Sequence, residues 1–342
     1  MTVAAAALRR FTRDIFVAAG LSDDHATTIA DVLVWADLRG VESHGVARIP
    51  MYVRLLDAGD LNPTATITVA TETPAAVMFD MDRAPGPVAM TTACAAAMEK
   101  AREVGIGFAL ARRTTHTAAL GYYTSAAARG GMAAIAFAAS VPMMAYHGAR
   151  AAAVSTSPVS IAVPGGARGP LVLDMATSVI SAGGLAQARR AGRPIPPGLA
   201  LDDQGAPTTD PAKATIPRPL GDYKGSGLSL MIECLASLVA SNPIVAETFS
   251  RAPAERRHTQ NGLVLAIDVA RFADPAVFRA EVERLVATIK ALPREPGVEE
   301  LLVPGERGDR ELARRSRDGI PLARGTLDDL ARIAARFEVP MP

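Results

Sequence analysis

The chain has little that would staple, anchor or charge it. Cysteine occurs twice in 342 residues, tryptophan once, and aromatics make up 4%. Cys94 and Cys234 form no CxxC pair, which excludes a cysteine metal site of that kind, and they read as reduced, buried thiols of a cytosolic protein. With few rings available, a 49% hydrophobic composition must build its core mostly from Ala, Val, Leu, Ile and Met. Charge of one sign is also missing: 36 basic and 35 acidic residues leave +1. Such a balance provides no global field for nucleic acid or an anionic membrane. The N-terminus "MTVAAAALRRFTRDIF" is interrupted by Arg9 and Arg10 before a secretory apolar region can form. The most apolar run, "GMAAIAFAASVPMM", is too short to span a bilayer and carries Pro142. The expectation is a soluble cytoplasmic protein with neither membrane nor nucleic-acid partner.

Familiar signatures are absent as well. No GxGxxG follows a clean strand, so a Rossmann cofactor site is unsupported, and no GxxxxGK[ST] phosphate loop is present. Without HxH or HExxH spacing, no metal site is expected. No internal repeat is visible.

What is there alternates between helix and strand, which predicts an α/β fold. Residues 1–60 read as helices, with Ser22 as an N-cap and Asp23 and Asp24 in the first turn. Strands and turns follow to 80, then a helix over 86–104, a buried strand over 105–113 and a helix ending at Gly130 or Gly131. "MAAIAFAAS" and "GLVLAIDVA" read as strands. Helices are expected over 176–190, 226–240, 275–292 and 326–337. The stretch 193–221 reads as loop.

The five histidines are unequal. His25 fits a helical pattern as a structural residue, and His258, after Arg256 and Arg257, reads as a surface loop residue. His147 follows a buried strand, where α/β proteins bind ligands. His44, in "RGVESHGVARIPMY", precedes a helix on which Arg48 and Tyr52 share a face. An imidazole, a guanidinium and a phenol there suit one small anion: Arg holds a carboxylate in bidentate fashion, and His moves a proton near neutral pH. The plainer alternative pairs Arg48 with Glu42 or Asp57. In "GDYKGSGLSLM", Lys224 at a Gly-rich helix start suits a phosphate.

Taken in order, "ADLRGVESHGVARI", "LGYYTSAA", "STSPVSIAVP", "LDMATS", "IPPGLALDDQGAPTTDP", "PLGDYKGSGLSLMIE" and "PGE" resemble the malate/L-lactate dehydrogenase-like type-2 oxidoreductases over nearly the whole chain. The resemblance implies a three-layer α/β/α core around a mixed sheet, sulfolactate dehydrogenase-like and non-Rossmann. Its α/β part would span 76–300, with a small subdomain within 120–215. A helical N-terminal part, 1–75, would pack with 300–342. It implies a homodimer and an NAD or NADP cofactor. The activity implied is hydride transfer between nicotinamide and a small 2-hydroxy or 2-oxo acid, or reduction of a cyclic ketimine such as Δ1-piperideine- or Δ1-pyrroline-2-carboxylate.

By the same resemblance His116 falls on the catalytic histidine and His44 on a second one. Arg48 and Tyr52 would hold the substrate carboxylate, with Ser43, Thr117 and His147 nearby. Ser140, Asp174, Met175, Ala176, Lys224, Glu306, Arg307 and Gly308 would line the cofactor. Four departures bear on the substrate. Thr115-His116-Thr117-Ala118 replaces the usual Asn-His-Phe/Tyr-Gly, and Ser155-Thr156-Ser157-Pro158 replaces Gly-Thr-Asn-Pro. His147 replaces a common Gly, and Gly184 a frequent Lys. Two other readings stand beside the oxidoreductase: a metal-dependent lyase or hydrolase using His44 and His116, and a non-catalytic binding descendant of the fold.

Overall fold

Period-two alternation of Ala, Val, Ile and Phe builds one mixed seven-stranded sheet in the computed structural model, which describes residues 2–342. The strands are β1 (Thr68–Glu72), β2 (Ala76–Asp80), β3 (Ile106–Thr114), β4 (Met132–Ser140), β5 (Val159–Val163), β6 (Leu171–Met175) and β7 (Gln260–Asp268). Their spatial order is β1-β2-β3-β7-β4-β5-β6. Only the β2–β3 pair is parallel among the described residues. The last of these strands in sequence therefore runs through the middle of the sheet, antiparallel to both neighbours.

The pairing brings one set of strand ends to a common edge. Gln260 at the start of β7 lies opposite Thr114 at the end of β3 and Ser140 at the end of β4. Val159 at the start of β5 lies opposite Met175 at the end of β6. Loops leaving these ends make the floor and walls of the cavity described below.

Helices cover both faces, giving the α/β/α core. On one side α4 (Gly86–Val104) packs on β3 and β7, and α5 (Gly121–Arg129) on β4, β5 and β6. On the other side α7 (Tyr223–Glu233) and a π-helical turn over Cys234–Leu238 pack on β4 and β7 through Ile232, Ala236 and Ala240. The helix α6 (Ala182–Arg190) begins later than sequence periodicity suggests. Ser181 caps it, and Ser178 pairs with Pro219, which keeps the chain after Met175 extended. Within the predicted loop, three two-residue strands at Ala200–Leu201, Pro207–Thr208 and Ile216–Pro217 form a small separate sheet.

Of the N-terminal helices α1 (Ala5–Ala18), α2 (Asp23–Leu38) and α3 (Ile49–Asp57), α1 and α3 pack with the C-terminal α11 (Arg324–Phe337), and α2 packs on α1. Between them in sequence come α8 (Val245–Ser250), α9 (Pro275–Lys290) and α10 (Glu306–Asp318). One continuous core runs from Leu8 and Ile15 through Ala89, Ala93 and Ala97 of α4 to Ala109, Ala134 and Val264 of the sheet. Alanines dominate where α4 meets the sheet, so helix and strands approach closely. Both cysteines are free; Cys94 is buried, its thiol pushed up to about 11 by that burial, whereas Cys234 is half-buried. Among the described residues, no helix is long and apolar enough to cross a membrane.

Close approach is most demanding at Gly86, in the first turn of α4. A Cβ there would lie 2.0 Å from the His116 carbonyl oxygen and 2.7 Å from that of Thr115. Gly86→Ala is therefore expected to cost about 1–3 kcal/mol of stability through overpacking, although Ala is the better helix former. Urea unfolding of both forms checks this, and an unchanged midpoint would contradict it.

Candidate active site

His116 sits in the loop between β3 and α5, and four contacts hold that loop. The Gly86 amide donates to Thr115 Oγ1 at 3.1 Å, and the Tyr123 hydroxyl donates to the Thr117 carbonyl at 2.8 Å. The Gly121 amide donates to Asp174 Oδ2 at 2.7 Å. From α3, the fully buried Tyr52 donates its hydroxyl proton to the His116 carbonyl at 2.7 Å. The same hydroxyl lies 3.1 Å from His116 Nδ1. With its proton on the carbonyl, the Tyr52 oxygen is free to accept from Nδ1–H, in the tautomer that leaves Nε2 its lone pair. The Ala118 amide, 3.3 Å from Nδ1, favours the opposite tautomer. Ala118 itself adopts φ 55°, a left-handed conformation that costs an L residue about 1 kcal/mol.

The second histidine comes from the turn between α2 and α3. Its Nδ1 lies 2.9 Å from Ser43 Oγ, and its ring is 5.6 Å from that of His116 at an interplanar angle of 24°. Asp37 of α2 fixes this turn by accepting the Val46 amide at 2.8 Å. Burial pushes the Asp37 carboxyl up to about 7 against that hydrogen bond.

Arg48 follows in the same turn. Its Nε donates to the Ser43 carbonyl, yet no carboxylate pairs with it among the described residues. Asp57 is taken by Arg336 and Glu42 by Arg315, so the surface-pair alternative fails for want of a free acid. The uncompensated guanidinium shapes its neighbours. Burial first, and then the charge of Arg48, hold His44 down at about 3 and His116 well below the usual imidazole range. Both rings are neutral near pH 7, shielded by protein except where they face a shared cavity.

That cavity has a volume of about 390 Å³. Of the residues expected from sequence, it brings together Ser43, His44, Arg48, His116, Thr117, Ser140, Asp174, Met175 and Ala176. Others lie elsewhere. Tyr52 lies behind His116 with its hydroxyl engaged there, so it orients the histidine rather than reaching the cavity. His147 is exposed, 3.9 Å from Asp222. Lys224 is exposed at the start of α7, just before Gly225 packs against the Thr177 carbonyl. Glu306 opens α10 in ion pairs with Lys290 and Arg310, and lines a separate recess. Arg307 and Gly308 follow it on that helix. A further hollow of about 450 Å³ shares Ser43, Arg48 and Gly183 with the cavity but contains no histidine.

The structure adds Ser155, Thr156, Gln260 and His258 to the wall. His258 is not the surface residue that its polar neighbours suggest. It is half-buried, and burial lowers its pKa. Its position depends on β7 entering the middle of the sheet, a long-range fact that local spacing does not carry. Among the described residues, no three His, Cys, Asp or Glu side chains cluster as metal ligands do.

Removing the Tyr52 hydroxyl tests the orienting role. Tyr52→Phe should lower kcat with a smaller change in KM, and His116→Ala should lower kcat further, by about 10²–10⁴-fold. If His116 is the base in the oxidative direction, kcat/KM should show no acid limb near the ordinary imidazole pKa of about 6.5, because the free ring is already neutral well below it. A limb there, lost in the Ala variant, would contradict the depressed pKa.

Comparisons with known proteins agree with this architecture. The family model described as malate/L-lactate dehydrogenase matches residues 3–331. L-sulfolactate dehydrogenase of Methanothermobacter thermautotrophicus is 32% identical, over 96% of this chain and 95% of its own. Delta(1)-pyrroline-2-carboxylate reductase of Ancylobacter novellus is 32% identical, over 95% of each chain. The solved structure of malate dehydrogenase from Pyrococcus horikoshii superposes with TM-score 0.90 at 30% identity, covering 100% of this chain and 97% of the other. With a family model matched over residues 3–331 and relatives aligned at this identity and coverage, the chain belongs to the malate/L-lactate dehydrogenase family.

Proposed function

We propose that the chain is a nicotinamide-dependent oxidoreductase that interconverts small 2-hydroxy and 2-oxo acids. One observation carries the reading: a largely buried guanidinium without a counter-charge faces the same cavity as two neutral imidazoles. Leaving such a cation unpaired is costly, and a substrate carboxylate removes the cost. Arg48 then fixes the acid end, and the carbon next to the carboxylate lies beside the histidines.

No side chain here performs redox chemistry, so hydride transfer calls for a carrier. The cavity wall suits a flat ring. Ala138, Ala176, Ala182 and Gly183 present small side chains, and a Cβ on Gly183 would stand 2.6 Å from Ser43 Cβ and 2.7 Å from Arg48 Nη2. Ser140 and the Asp174–Met175–Ala176 run would hold the nicotinamide end. Lys224 and the Glu306–Arg307–Gly308 turn lie outside the cavity, within the scope of only the distal part of a dinucleotide. When bound, NAD or NADP supplies or accepts the hydride. His116 takes the hydroxyl proton at Nε2 in oxidation and returns it in reduction, held in register by Tyr52. His44, its Nδ1 engaged by Ser43, faces the same substrate oxygen from the stacked ring.

The same set serves a C=N bond. The apolar lining of Met51, Met143 and Pro158 favours reduction of a cyclic 2-imino acid as the second reading. For assembly we propose a homodimer. Leu228, Leu230, Met231, Leu235, Leu238 and Val239, on α7 and its extension, are 41–56% exposed. Such a patch suits a subunit contact.

NADH or NADPH oxidation with pyruvate, oxaloacetate, hydroxypyruvate and Δ1-piperideine-2-carboxylate tests the reaction class. Turnover of a 2-oxo acid is expected, and exclusive turnover of the imine would establish the second reading. Arg48→Met should weaken carboxylate binding by about 2–5 kcal/mol, seen as a raised KM; an unchanged KM would remove Arg48 from its role. Light scattering after gel filtration should give twice the chain mass, and Met231→Lys should shift it toward monomer.

A further inference from the structure

The turn before β7 is fixed against the end of α3. There the His258 amide donates to Asp60 Oδ2 at 3.2 Å, and Arg257 donates to the Ala58 carbonyl at 3.1 Å. His258 is one of the residues lining the cavity, with His116 and Gln260, and its Nε2 is buried with no hydrogen-bond partner within the protein. A buried polar atom left unpaired is costly, and most such atoms in folded proteins find a partner. The turn is held firmly while the ring it carries is unsatisfied, the pattern expected of a side chain completed by a ligand.

The cavity also restricts charge. Among its lining residues Arg48 is the single lysine or arginine. One guanidinium neutralises one carboxylate. A second anionic group on the substrate would lose its water without gaining a cation. A purely hydrocarbon arm would meet Met51, Met143, Ala118 and Pro158 comfortably but leave His258 unsatisfied.

We infer that His258 is a specificity-determining residue that hydrogen-bonds an uncharged polar group on the substrate arm beyond the reacting carbon. The favoured substrate then carries a hydroxyl, carbonyl or amide there, in preference to a bare hydrocarbon or a second anion. The inference rests on the function proposed above and names the substrate class within it. The ring's neutral state agrees with an uncharged partner: burial lowers its pKa despite the nearby Asp60 carboxylate, which acts to raise it.

The test uses three 2-oxo acids that differ in the arm: hydroxypyruvate, its near-isostere 2-oxobutyrate, and oxaloacetate. Each is assayed with NADH and NADPH on the wild type, His258→Leu and His258→Gln. The wild type should favour hydroxypyruvate over the other two by about 10–100-fold in kcat/KM. His258→Leu should collapse that ratio toward one. His258→Gln, which keeps a donor and an acceptor, should restore part of it. Thermal unfolding with cofactor reports whether each variant folds. If His258→Leu does not fold, the wild-type ranking and the Gln variant decide. A wild type that prefers oxaloacetate or 2-oxobutyrate overturns the inference, as does a folded Leu variant that keeps the preference for hydroxypyruvate. Those outcomes leave the oxidoreductase reading standing, whereas failure of every 2-oxo acid with cofactor bound removes both.

Discussion

A single positive charge without a partner organises this molecule's chemistry. Arg48 is largely enclosed, donates to a backbone carbonyl, and faces a cavity rather than an acid. In water such a charge would be unremarkable; enclosed, its field reaches neighbouring rings with little screening. Burial, the larger cause, and then this charge keep both facing imidazoles unprotonated, so the cavity holds one cation where a careless arrangement would hold three. That economy leaves the guanidinium available to an incoming carboxylate and leaves the rings able to accept a proton.

Rigidity around His116 supports the same end. Its loop is tied to α4, α5, α3 and β6, each by a hydrogen bond from a different element. A reacting side chain on a connecting loop normally trades precision for access. Here the loop borrows the stiffness of the elements around it, and the strained backbone at Ala118 persists because those ties over-determine it.

How much of this the sequence revealed follows the range of the interactions. Elements set by local pattern were readable: the helix over Gly86–Val104 and the cap at Ser22 depend on nearby residues. Helix α10 was not, because "ERGDRELARRSRD" has almost no apolar stripe. It is held instead by ion pairs to distant residues, Arg39 with Asp309 and Arg315 with Glu42. The late start of α6 was hidden for a related reason, since its cause is a bridge to Pro219. In the site, motif order pointed to His44, Arg48 and His116, which the cavity brings together. Spacing could not show that Tyr52 stands behind His116 or that His258 is among the residues lining the cavity. Both depend on how α3 and β7 settle against the rest.

The central placement of β7 has a kinetic consequence. A chain emerging from the ribosome has made β1 through β6 long before residue 260 exists, yet β3 and β4 never pair with each other. They wait for a strand supplied more than a hundred residues later. Until it inserts, the sheet is two half-sheets with open edges, and the loops carrying His116 and Ser140 have no fixed separation. Catalytic competence in this architecture thus requires β7 in place, and the inner edges of β3 and β4 are where a stalled or truncated chain would be most prone to pair wrongly.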